Sequence, residues 1–124
     1  MTSPVKVVLV EDNEGFRETL TLVFGMREEL QVVAAVASGD EAPEACARVQ
    51  PDVVLMDYRM PGMNGADATR AVLAACPAAR VVCLSASVTD EETAEVLAAG
   101  AVACVRKDEA FDRIVGVVFE AAGR

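Results

Sequence analysis

The chain has 124 residues, enough for one compact domain around one core. Its formal net charge of −9 and its lack of histidine exclude a basic face for nucleic acid or anionic lipid, histidine-based catalysis and histidine-ligated metals. Apolar residues make up 53% of the chain, with four Phe, one Tyr and no Trp, so packing rests on aliphatic side chains, which suits strands buried on both faces.

Met1-Thr2-Ser3-Pro4 leads straight into the apolar run Val5–Val10, without a signal peptide or a long apolar span. That is the pattern expected of a cytoplasmic chain. Val5–Val10 reads as a first strand and ends in Glu11-Asp12. Phe16, Leu20, Val23 and Phe24 follow with helical spacing, and Val32–Val36 reads as a second strand. Ser38-Gly39-Asp40-Glu41 has the form of a capping box, ahead of a stripe of Ala42, Ala45, Cys46 and Val49 that Pro51 closes. Val53–Met56 is a third strand. Asp57 leaves it into the turn Asp57-Tyr58-Arg59-Met60-Pro61-Gly62-Met63-Asn64-Gly65, where Pro61 restricts the backbone and the glycines stand where a side chain would crowd. Ala68, Val72, Leu73 and Cys76 form a third stripe, closed by Pro77.

Val81–Leu84 is a fourth strand, followed by Ser85. Thr89-Asp90-Glu91-Glu92 is a second capping box, opening a helix with a weaker stripe of Ala94, Leu97 and Ala98 and a stop at Gly100. Val102–Val105 is a fifth strand, with Lys107 just beyond it. Asp108 is placed to cap a last helix striped by Phe111, Ile114, Val115, Val118 and Ala122, with Val117 and Phe119 on its flanks. The four cysteines, Cys46, Cys76, Cys83 and Cys104, show no CxxC pair or zinc spacing and read as reduced, structural residues.

Strict alternation of strand and helix argues for an α/β domain with a parallel sheet and helices on both faces. Ligands of such sheets bind beyond the carboxyl ends of the strands. Glu11, Asp12, Asp57, Ser85 and Lys107 all fall on that edge. Three carboxylates and one Lys leave a local charge of about −2, a site for a hard divalent cation such as Mg²⁺. Asp57 is the candidate nucleophile toward a phosphoryl group, with Lys107 as its cationic partner and Ser85 as a hydroxyl donor.

The segments Val7-Val8-Leu9-Val10-Glu11-Asp12-Asn13 and Asp57 to Gly65, continued by Leu84-Ser85-Ala86, Gly100-Ala101 and Lys107, resemble the receiver domain of two-component response regulators over essentially the whole chain. The resemblance implies a flavodoxin-like, CheY-like fold with five strands in the order 2-1-3-4-5. It implies Asp57 as phosphoacceptor for a sensor histidine kinase, and Glu11, Asp12, Asp57 and the Arg59 backbone carbonyl as Mg²⁺ ligands. Ser85 becomes the switch hydroxyl and Lys107 the phosphoryl partner. Lys107-Asp108 is closest to the NarL/LuxR family, whose receivers precede a helix-turn-helix DNA-binding domain. We therefore expect residues 1–124 to be the receiver domain excised from a longer transcriptional regulator, a receiver-only protein being the alternative.

Two positions depart from the family pattern. Cys104 stands where the family usually carries a Tyr or Phe that swings inward, and a thiol cannot repeat that movement. Arg59 stands two residues after the acceptor, where, with Ser87, it is expected to tune the lifetime of the aspartyl-phosphate. Homodimerisation is a further expectation, with Val117 and Phe119 as added apolar area; ordinary partial burial accounts for them equally. The competing functions are a pseudo-receiver that only docks partners and a Mg²⁺-dependent phosphohydrolase acting through Asp57. The second lacks the usual second acid, since Arg59 holds its place. The chain is otherwise expected to act on no outside substrate.

Overall fold

A computed structural model of the protein describes residues 3–124; Met1 and Thr2 of the expected lead-in lie outside the described residues. In chain order the elements are β1 (Val5–Val10), α1 (Glu14–Gly25), β2 (Leu30–Val36), α2 (Ala42–Val49) and β3 (Val53–Asp57). They continue with α3 (Gly65–Ala75), β4 (Arg80–Ser85), α4 (Asp90–Ala98), β5 (Ala103–Arg106) and α5 (Phe111–Ala121). All five strands are parallel and lie in the order β2-β1-β3-β4-β5, as the resemblance implied.

Alternate strand residues feed two apolar layers, which is why the strands carry unbroken Val-rich runs. Val8, Val10, Val54, Met56, Val81 and Cys83 pack in one layer with Cys46 of α2, Val72 of α3 and Val96 of α4. Val7, Leu9, Leu55, Val82 and Leu84 pack in the other with Leu20 and Phe24 of α1 and Ile114 and Val118 of α5. Full burial of one such aliphatic or Phe side chain contributes about 1.5–3 kcal/mol. Strand order reverses at β1, which has β2 on one side and β3 on the other, so a crevice opens beyond the carboxyl ends of β1 and β3.

Several local expectations give way to competing partners. The capping box expected at Ser38 does not form: α2 starts at Ala42 after Glu41, which makes no side-chain cap, and the Ser38 hydroxyl instead donates to Glu41 Oε2 at 2.9 Å. A turn between Ser38 and Ala42, followed by a proline in the first helical turn, takes the place of the cap. Asp108 does not cap α5. Its carboxylate receives both Nε and Nη2 of Arg106, at 2.9 and 2.7 Å, and Ala110 takes the N-cap position without a side-chain bond. The Thr89–Glu92 box is complete in both directions. On α4 only Val96 is buried, while Ala94, Leu97 and Ala98 are exposed, so the buried face lies elsewhere than the expected stripe. Val117, at 5% exposure, belongs to the core and offers no free interface area.

Gly100 follows α4 with φ +118, and a Cβ there would meet the Leu73 side chain. The left-handed backbone calls for glycine, whereas the Leu73 side chain could swing aside.

Candidate functional site

Glu11 follows β1 directly, and its amide still pairs with the Val36 carbonyl at 3.0 Å, which keeps the strand direction for one more residue. The Glu11 side chain consequently turns inward and is 1% exposed, while Asp12 faces out. Asn13, not Asp12, caps α1 by accepting the Phe16 amide at 2.9 Å. That leaves the Asp12 carboxylate free for the crevice. Asn13 N–H also donates to Glu11 Oε2 at 3.1 Å, and Arg17 donates to the Glu11 carbonyl at 2.7 Å. These two anchors fix the loop.

Asp57 is the last residue of β3 and only 2% exposed. Its position is set from below by the register with Leu84 and from above by the loop that follows. Tyr58 N–H donates to the Leu84 carbonyl at 3.0 Å, and Gly65 N–H donates to the Tyr58 carbonyl at 2.7 Å, folding the start of α3 onto the acceptor strand. A Cβ on Gly65 would lie 2.7 Å from Tyr58 Cα and 3.0 Å from the Asp57 carbonyl oxygen. Both neighbours are backbone and cannot swing aside. Gly65→Ala is therefore expected to cost about 1–3 kcal/mol, read by urea unfolding. Gly116→Ala, in open space on α5, is expected to gain about 0.5–1 kcal/mol. Equal effects at the two positions would reject the close-approach account.

Glu11, Asp12 and Asp57 each bring a carboxylate oxygen within 4.8 Å of the others. Lys107, just past β5, closes the group with its Nζ at 2.7 Å from Glu11 Oε1 and 3.2 Å from Asp57 Oδ2. The Lys107 ammonium also lies over the Phe16 ring, 5.1 Å from its centroid, and the Lys107 amide donates to the Ser85 carbonyl at 2.7 Å, fixing the backbone. Ser85 is 2% exposed, and its buried Oγ has no hydrogen-bond partner among the described residues. A hydroxyl in that state costs stability unless a ligand satisfies it.

Charge within the cluster is unbalanced. Burial, then hydrogen bonds with Glu11 and Asp12 and the Glu11 charge, push the Asp57 carboxyl up to about 8, against the pull of Lys107. At Asp12, burial acts against ionisation, but hydrogen bonds to Asp57 and Glu11 outweigh it and hold the carboxyl below its usual range. Burial likewise opposes the charge on Lys107, and Glu11 and Asp57 overcome it and raise the ammonium above its ordinary value. Burial and its acidic neighbours thus make Asp57 hold its proton well above the usual carboxylate range. An all-oxygen donor set of this kind fits a hard divalent cation.

Four of the expected residues, Glu11, Asp12, Asp57 and Lys107, meet directly, and Ser85 joins them through the Lys107 backbone. Arg59 and Ser87 sit beside the group: Arg59 Nε donates to the Ser87 carbonyl at 3.1 Å and its Nη2 to Glu92 Oε1 at 2.8 Å. Glu92 also accepts the Thr89 amide at 2.9 Å, so the loop after β3 is tied to the cap of α4. Cys104 lies on β5, away from the cluster, opposite Cys83 on β4. The roles of Asn13, Arg17 and Glu92 in supporting the site went unread. Only Asn13 carried a usable signal, a capping residue just ahead of an apolar stripe.

Residues 7–119 match the family described as response regulator receiver domain. The transcriptional regulatory protein LnrK of Bacillus subtilis (strain 168) is 36% identical over 114 residues, covering 92% of this chain and 52% of that protein. The protein-glutamate methylesterase/protein-glutamine glutaminase 2 of Paramagnetospirillum magneticum (strain ATCC 700264 / AMB-1) is 40% identical over 110 residues, covering 86% of this chain and 31% of that protein. The chain thus spans about half, or less, of the length of these relatives. Among solved structures, the signal receiver domain of NarL from Mycobacterium tuberculosis matches with a TM-score of 0.93 at 33% identity, over 98% of each chain.

Proposed function

This chain belongs to the response regulator receiver domain family, and from that premise we propose that it is a phosphoacceptor switch charged on Asp57 by a partner sensor histidine kinase. The observation that carries the reading is the convergence of three carboxylates on Lys107 at the carboxyl edge of the sheet. Glu11, Asp12, Asp57 and the Arg59 carbonyl would hold Mg²⁺, which when bound supplies the positive charge that lets an anionic carboxylate meet an anionic phosphoryl group.

The chain's own groups do the rest. An Asp57 oxygen attacks phosphorus, a P–O bond forms, and the P–N bond to the donor imidazole breaks. Lys107, already 3.2 Å from Asp57 Oδ2, neutralises a phosphoryl oxygen. Ser85 finds in another oxygen the partner its hydroxyl lacks. Drawing Ser85 and Lys107 inward shifts β4 and β5 and so biases the face formed by β5 and its flanking helices. Arg59 and Ser87, linked across the mouth of the site, set how easily water reaches the acyl-phosphate.

The output belongs to a domain beyond this segment. Relatives named as transcriptional regulators and the Lys107-Asp108 pair support a helix-turn-helix output. Relatives named as methylesterases carry the same module. Among the described residues no helix is long and apolar enough to cross a membrane, and the charge of −9 opposes direct nucleic-acid binding by this segment.

The test is phosphorylation by acetyl phosphate, followed by intact mass, with Mg²⁺ or with chelator. Wild type is expected to gain one phosphoryl group only with Mg²⁺, and Asp57→Asn none. Unmodified wild type would leave the docking module standing. Sustained turnover of a small phosphoester would favour the phosphohydrolase.

A further inference from the structure

The strand pair β4–β5 places Cys83 directly opposite Cys104, with both side chains in the layer that also holds Val81 and Val96. We propose that Cys83 and Cys104 form a reversible modification site, closing to a disulfide within the folded domain when peroxide reaches Cys104. Neighbouring strands lie about 4.8 Å apart, inside the range of Cα separations that disulfides span. The remaining approach of the Cβ atoms falls on β5, an edge strand of four residues. An edge strand has no second neighbour to hold it back.

Access divides the roles of the two thiols. Cys83 is fully buried and Cys104 half-buried, so an oxidant meets Cys104 first. The neighbouring Cys83 thiol holds the Cys104 thiol below its ordinary value, while proximity to Cys104, then burial, pushes Cys83 up. Cys104 is the attacking sulfur and Cys83 the resolving one. Cys46, on α2, and Cys76, just past the end of α3, are both buried and lack such an entry point.

The electron count closes with hydrogen peroxide as oxidant. The Cys104 thiolate attacks one peroxide oxygen, the O–O bond breaks, and the departing hydroxide takes up a proton as water, leaving a sulfenic acid. The Cys83 sulfur then attacks the Cys104 sulfur, the S–S bond forms, the S–O bond breaks, and hydroxide leaves with the Cys83 proton as a second water. Two electrons pass from the sulfurs to the peroxide, and an external dithiol reverses the bond by exchange. The bond would join the strand that ends in Ser85, two residues beyond Cys83, to the strand that leads into Lys107, three beyond Cys104.

The experiment treats the folded protein with hydrogen peroxide, blocks free thiols, digests with trypsin without reduction and weighs the peptides. Cleavage after Arg80 and Arg106 leaves Cys83 and Cys104 together in 81–106, with Cys46 in 28–48 and Cys76 in 71–80. The expected product is an unalkylated 81–106 lighter by about 2 Da than the reduced peptide, restored by dithiothreitol and missing in Cys104→Ser and Cys83→Ala. A mixed pair with Cys46 or Cys76, a disulfide between two chains, sulfinic acid on Cys104 alone, or closure only after urea unfolding would each overturn the proposal.

Discussion

Between about pH 5 and pH 8 the metal-free protein is expected to lose stability, and Asp57→Asn is expected to remove most of that loss. The Asp57 carboxyl rises from 3.8 to about 8 in the folded chain. Within that span the folded state keeps a proton that the unfolded state has released, so rising pH favours unfolding by about 1.4 kcal/mol per pH unit. Below the span both states are protonated, and above it both are ionised. The depressed Asp12 carboxyl acts elsewhere: its contribution is lost only as the solution becomes more acidic than the ordinary carboxylate range. The raised Lys107 ammonium gives up its contribution only on the alkaline side of the ordinary lysine range. The window therefore belongs to Asp57. Wild type in chelator should melt on the order of 10 °C lower at the alkaline end than at the acid end, with the Asn variant nearly flat. Mg²⁺ should raise the wild-type midpoint more at the alkaline end, because at the acid end it must first displace the Asp57 proton. Parallel curves for wild type and Asp57→Asn would show that the acids do not crowd one another as the geometry requires.

Much of this architecture is readable before any coordinates, for identifiable reasons. Strands buried on both faces carry unbroken apolar runs, and five such runs with intervening stripes specify the layers; Val5–Val10 matches β1 at both ends. The register of chemistry was readable too, since an acid or a Lys just past each run must sit on one edge of a parallel sheet. What failed was settled by alternatives that a linear pattern does not display. The face of α4 rests on one large residue, Val96, among alanines and acids, so spacing had little to lock onto. Asp108 left its cap for Arg106, whose two parallel donors satisfy a carboxylate better than a single amide. The opposite fates of Glu11 and Asp12, one inward and one out, depend on whether β1 keeps its direction for one more residue. The Val36 carbonyl decides that, and it lies 25 residues away in the chain.

Lys107→Met is expected to destabilise the protein by about 2–4 kcal/mol, and to do so chiefly through Glu11. Methionine is unbranched and close to lysine in length, so the loss measures mainly the charge, including its contact with the Phe16 ring. Without the ammonium, the Glu11 carboxylate, 1% exposed, loses the cation 2.7 Å away and is left with the Asn13 amide at 3.1 Å and its acidic neighbours. An uncompensated buried charge is costly because the interior cannot replace the solvation it gave up. The Lys107 side chain is 19% exposed, so some water can follow it into the gap, which holds the cost below that of a fully enclosed pair. In a Glu11→Gln background the same substitution should cost less than half as much, measured by urea unfolding at neutral pH in chelator, since the neutral amide needs no counter-charge. An equal cost in both backgrounds would mean that Lys107 stabilises the fold by packing alone. The ion pair would then be a by-product of the crowding at this edge, not what holds the acids together.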